Sequence, residues 1–226
     1  MLLSNVEVKS FKSIEKSGEV IIDPKVTILV GQNESGKTAF LQALHKSASV
    51  EPNVKFNITE DYPRKNLNTY EKEHTSNPAV VTELTYTLNK EEIGLINSDL
   101  GFEAFNDLSF TLYYKYNNRS TVSFTVPEKA FVANSIKNSG LTVETREVVS
   151  KSETVRKLIK ELEGLDLNGE ENDFLESLKS KFTENENWHS VLSLYIWTKH
   201  IYPYIPQFLY FDDYRVLPGK INLLEL

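Results

Sequence analysis

Residues 1–50 switch between two hydrophobic periods. Val6-Glu7-Val8-Lys9-Ser10-Phe11 alternates apolar and polar side chains, which predicts a half-buried strand. Glu19 to Ile22 predicts a second strand pairing with it, and Asp23-Pro24 ends that segment. Val26-Thr27-Ile28-Leu29-Val30 is uncharged, rich in β-branched residues and bounded by Pro24 and Gly31, so it reads as a strand buried on both faces. A helix is expected directly afterwards. From Thr38, the apolar positions Phe40, Leu41, Ala43 and Leu44 fall on one helical side, and the pattern fades around Ser47 to Ser49.

From Val50 to Asn77 the chain is polar and interrupted at Pro52 and Pro63, with Pro78 just beyond, which predicts loop with short helical turns. Ala79 to Leu88 alternates again as a strand. Asp107 to Val126 carries two more, separated by Asn117-Asn118, a pair that tolerates the left-handed backbone of a hairpin turn. Residues 79–127 are therefore expected to form an antiparallel meander. From Ser152 the period lengthens: Val155, Leu158, Ile159 and Leu162 mark a helix stopped at Gly164, and Phe174, Leu175, Leu178 and Phe182 mark another. Trp188 to Tyr204 is apolar on several sides, which fits a buried helix or one whose second face meets a partner. No internal repeat is present.

Composition narrows the classes without changing this outline. The 226 residues, 40% hydrophobic and 25% charged, suffice for a sizeable core. A net charge of −7 excludes the bulk positive field of many nucleic-acid binders. The acidity is uneven, however. Residues 151–187 hold ten acids and six bases, whereas residues 1–65 hold eight acids and nine bases, leaving that end free to receive a polyanion. The absence of cysteine excludes disulfides, thiolate metal sites and a cysteine nucleophile. With no secretory signal and no apolar run near the roughly 20 residues of a membrane span, a cytoplasmic location with no membrane partner is expected.

The chemistry concentrates in Gly31-Gln32-Asn33-Glu34-Ser35-Gly36-Lys37-Thr38, the GxxxxGK[ST] pattern of a Walker A phosphate-binding loop, placed between a predicted strand and a predicted helix. Gly31 and Gly36 allow a tight turn that points successive N–H groups at phosphate oxygens, with the positive end of the helix dipole behind them. In this pattern Lys37 reaches the β- and γ-phosphates and the Thr38 hydroxyl is a ligand of Mg²⁺. Lys37 is thus the candidate catalytic residue, and Gly31 to Ala39 the candidate ATP-binding segment.

The segments Val8 to Ile14, Val26 to Val30 and Gly31 to Leu44 together resemble the amino-terminal half-site of ABC-class ATPases of the SMC, RecF and OLD (overcoming lysogenisation defect) group. Asn33 to Thr38, Glu60-Asp61-Tyr62-Pro63-Arg64-Lys65 and Tyr210 to Tyr214 with Leu217-Pro218-Gly219 look most like the OLD-like AAA-type members. The resemblance implies an α/β P-loop NTPase lobe with an antiparallel meander and a helical carboxy-terminal third. Its parts would be a P-loop core (1–50), strands (79–127), a helical segment (151–205) and a strand with tail (206–226). It further implies that Lys12 and Ser13 lie beside the nucleotide, that ATP and Mg²⁺ bind, and that a homodimer or a partner chain completes the ATPase site. Nucleotide-dependent association of two heads would then control DNA repair or phage defence through DNA or an effector nuclease.

Such ATPases also use an acidic strand and a signature loop from a second subunit. No such signature occurs here, so ATP binding without efficient hydrolysis by this chain alone is expected. Phe208 to Asp213 superficially resembles the acidic strand, but its second acid is Asp212's neighbour Asp213 rather than Glu, and a strand-to-turn junction is the plainer reading. Arg64 is weighed against a solvated loop cation. His45, His74, His189 and His200 lack helical metal-site spacing. Tyr113, Tyr114 and Tyr116 with Lys115 and Arg119 suit base stacking, yet are ordinary hairpin composition. The alternative function is a non-hydrolysing, nucleotide-stabilised interaction module that docks a partner on Trp188 to Tyr204. A small-molecule kinase ranks behind both.

Overall fold

The alternation in the first residues becomes a ten-residue strand, β1 (Leu2–Phe11), followed by two short strands, β2 (Ile14–Lys16) and β3 (Val20–Ile21). In the computed structural model, which describes residues 1–183 and 185–211, helix α1 (Lys37–Ser47) comes next. Two short helices then interrupt the polar stretch, α2 (Ile58–Asp61) and α3 (Leu67–Glu73). Strand β4 (Val80–Thr87), helix α4 (Lys90–Leu100) and strands β5 (Ser109–Lys115) and β6 (Ser120–Ser123) form the middle of the chain. Five helices end it: α5 (Glu128–Lys137), α6 (Val143–Val149), α7 (Val155–Glu163), α8 (Gly169–Lys181) and α9 (Val191–Ile196).

The strands make one antiparallel sheet in the order β2-β1-β4-β5-β6, with β3 also on β1. Register places Val6 opposite Leu84, Leu84 opposite Leu112, and Tyr86 opposite Phe110, so the buried side chains share one face. Helix α1 covers that face with Ala39, Phe40 and Ala43, two of them small enough for close approach. The buried Ser47 hydroxyl meets Thr82 Oγ1 at 2.6 Å, satisfying both polar groups at the helix–sheet contact. The opposite face of β1 is polar, with Lys9 bound to Glu7 at 2.9 Å and to Glu83 across the strand pair.

Several expectations are corrected. Val26 to Val30 pairs with no strand among the described residues, and Val26, Ile28 and Val30 are exposed, Val30 by 87%. Its composition marks a strand suited to burial, but in this segment it is Leu29 that packs against the core. The meander is interrupted by α4, whose start is signalled by a capping box between Asn89 and Glu92 and whose buried face is Ile93, Ile96 and Leu100. The apolar stretch from Trp188 becomes helical at Val191 and changes to a π-helical turn over Trp197–Ile201. Among the described residues no helix is long and apolar enough to cross a membrane.

Two carboxylates, a half-buried Asp99 and a buried Glu171, tie the helices together. Asp99, at the end of α4, accepts from Tyr195 Oη at 2.7 Å, Lys199 Nζ at 2.8 Å and His200 Nε2 at 2.8 Å. Burial alone would raise its pKa, but these bonds and the Lys181 charge outweigh that and hold it well below the usual carboxylate range. Glu171, in the first turn of α8, accepts from the backbone N–H groups of Thr142 and Asn168, both at 3.0 Å, and from the Thr142 hydroxyl at 2.8 Å. These bonds, led by the Thr142 N–H, lower its pKa to about 2.

Because the folded pKa of Glu171 lies below its ordinary 4.5, its contribution is present above pH 4.5 and is lost as pH falls toward 2. The thermal midpoint is expected to drop through that window, and Glu171→Gln to flatten the drop, as followed by circular dichroism. Tyr116 is buried and its hydroxyl donates to Ser10 O at 2.6 Å. Tyr116→Phe leaves that carbonyl unpaired and should cost about 1–2 kcal/mol in urea unfolding. An unchanged midpoint would show the bond to be dispensable.

Candidate functional site

The turn from Gly31 to Gly36 leads into α1, and its shape follows from two left-handed residues, Glu34 (φ 65°) and Gly36 (φ 93°). Gly36 is the N-cap of α1 and supplies no capping side chain. The first internal helix bond is Phe40 N–H to Gly36 O at 2.8 Å, so the N–H groups of Lys37, Thr38 and Ala39 have no acceptor inside the helix. Gly36 is constrained twice over: besides its positive φ, a Cβ would lie 3.3 Å from Ile14 Cγ1 and 3.5 Å from Ser13 Oγ. The turn between β1 and β2 therefore leans directly on the loop.

Lys37 folds back over the turn. Its ammonium donates to Gly31 O at 2.8 Å and Gln32 O at 2.7 Å, and lies 3.4 Å from Ser35 Oγ. A cation held by neutral carbonyls in front of unpaired N–H groups is an arrangement that favours an incoming anion, since those donors are oriented before it arrives. A cavity of about 430 Å³ opens here, lined by Ser13, Ile14, Lys16, Leu29, Lys37 and Phe40 among others. A larger one of about 670 Å³ lies beside β6, but no Lys, Arg, Asp or Glu lines it, so charge and loop geometry rather than size select the site.

The residues singled out from the sequence divide accordingly. Gln32, Asn33, Glu34 and Thr38 are exposed at the loop, and Ala39 turns its side chain into the core, leaving its N–H as the group it can offer. Ser13 stands against Gly36, whereas Lys12 reaches along α1 to Gln42 Oε1 at 2.5 Å. The Thr38 hydroxyl is the kind of hard oxygen donor that Mg²⁺ takes, and its exposure beside Lys37 fits that group. Among the described residues no group of three or more His, Asp or Glu gathers into a metal cluster.

Asp212 and Asp213 lie outside the described residues, as do Tyr214 and Leu217-Pro218-Gly219. The chain just before them runs beside the carboxy-terminal end of α1, with Phe208 N–H donating to Ala48 O at 2.7 Å. Tyr116, a stacking candidate, is instead buried among Phe56, Tyr62 and Tyr70. Sequence reasoning missed β2, whose three residues are too short for a period, and with it the wall that Ile14 and Lys16 give the cavity.

No curated protein matches the chain. Among solved structures, one described as "Structural biochemistry of ATP-driven dimerization and DNA stimulated activation of SMC ATPases" is 18% identical over 72% of this chain and 99% of that chain. Its TM-score of 0.30 makes the likeness too distant to carry an argument. The family described as "AAA ATPase domain" matches residues 1–215, nearly the whole length. The chain belongs to the AAA ATPase domain family.

Proposed function

We propose that this chain is an OLD-like ATPase head that binds ATP and Mg²⁺ at Gly31 to Ala39 and works by nucleotide-dependent association with a second head or a partner chain. The observation that carries the reading is the Lys37 ammonium, held at Gly31 O and Gln32 O before the open N-terminus of α1. Its carbonyl partners are neutral, so a triphosphate offers the lysine a stronger, charge-assisted acceptor. The N–H groups of Lys37, Thr38 and Ala39 receive phosphate oxygens, and Gly36 keeps the backbone close because no Cβ intervenes. Thr38 would supply a hydroxyl to the metal. Mg²⁺, when bound, would neutralise negative charge on the phosphates there.

Association with another polypeptide is supported by the exposed apolar row of Val26, Ile28 and Val30, which runs straight into the loop. An assembly that covers this row sits where it senses nucleotide. Such heads suit a DNA-directed or antiphage effector, which belongs to this proposal. The competing reading is a nucleotide-stabilised docking module, favoured by the exposed Tyr202 and Tyr204 beyond α9.

Lys37→Ala should weaken ATP binding by about tenfold or more in calorimetric titration, as expected for loss of a charge-assisted phosphate contact. Equal affinity would sink the phosphate-loop reading. Sedimentation velocity separates the two functions: dimers that form with ATP and Mg²⁺ support the ATPase head. A constant oligomer whose melting temperature alone rises with nucleotide supports the docking module.

A further inference from the structure

One buried carboxylate beside the site has no part in the loop itself. Asp61 ends α2 and is 1% exposed. Its Oδ2 accepts from Lys46 Nζ at 2.6 Å and from Asn57 N–H at 2.8 Å, while Oδ1 accepts nothing among the described residues. Burying an ion pair rarely adds net stability, and leaving one carboxylate oxygen unsatisfied makes the balance worse. What the pair does fix is geometry. Lys46 lies on α1, the helix that begins at the loop, and the Asp61 carbonyl accepts the Lys12 N–H at 2.5 Å.

Lys12 belongs to a strained turn. Ser10 (φ 47°) and Lys12 (φ 51°) are both left-handed without being glycine, and they flank the fully buried Phe11. A turn of this kind persists when its surroundings over-determine it. Tyr116 holds it at Ser10 O, and Asp61 holds it at Lys12 N–H. The next two residues, Ser13 and Ile14, are those that stand against Gly36. Asp61 thus joins the helix behind the loop to the wall in front of it.

We propose that Asp61 is a positioning residue: through Lys46 and the Lys12 N–H it sets the distance between α1 and the Ser13-Ile14 wall, and thereby the affinity of the loop for a nucleoside triphosphate. This rests on the reading of the loop as an ATP site. Asp61→Asn keeps the shape and an acceptor for Asn57 but loses the charge pair, and Lys46→Met removes the pair from the other side.

With the 226-residue chain and a fluorescent ATP analogue, each variant should bind about fivefold more weakly or worse, the lower end of couplings between linked sites. The double variant should be no weaker than the worse single one. Lys46→Arg, which keeps the charge, should restore most of the affinity. Without nucleotide, amide exchange at Lys12 to Ile14 should accelerate in both single variants while that of α7 and α8 stays unchanged. Wild-type affinity in the folded variants overturns the proposal, as do additive losses with no change in exchange at the turn. If Asp61→Asn does not fold, Lys46→Met against Lys46→Arg decides. A wild-type chain that does not bind the analogue overturns the ATP-site reading instead, and the exchange arm still judges the clamp.

Discussion

The ten residues of β1 must satisfy two edges at once, and the arrangement around the loop depends on how they do it. One edge pairs with β4 from Leu2 to Val8. The other is shared by two short strands in succession, β3 at Asn5 and Val6 and β2 at Lys9 and Phe11. To supply both, the chain reverses tightly after Phe11 and then runs back along β1, shifting register by one residue near Gly18, where φ is 70°. The reversal places left-handed backbone at Ser10 and Lys12 and delivers Ser13 and Ile14 to Gly36. The wall of the loop is therefore a consequence of sheet pairing, and its rigidity is borrowed from the sheet.

The same sheet ties distant parts of the chain together. Its buried face takes α1 through small residues, and the Ser47–Thr82 contact fixes the helix along its length. Beyond β4, Asp99 collects Tyr195, Lys199 and His200, so α4 is tied to α9 and to the turn after it. The π-helical turn over Trp197–Ile201 lies within this cluster and directs Lys199 and His200 to the same carboxylate.

How legible this was depends on whether the signal is local. The loop could be read because GxxxxGK[ST] specifies backbone conformation and charge within eight residues. Strands β1, β4 and β5 could be read from alternation, since each buries one face. Helix α4 was hidden by the polar Asn89 to Glu92, although those two residues cap it. Val26 to Val30 misled because composition records that a segment suits burial, not which element buries it. The Asp61–Lys46 pair was not legible at all: it spans fifteen positions and depends on tertiary placement.

The bare row of Val26, Ile28 and Val30 has a consequence for the life of the chain before any ligand arrives. Three exposed apolar side chains on an uncharged, β-branched segment favour association through this row over dispersal.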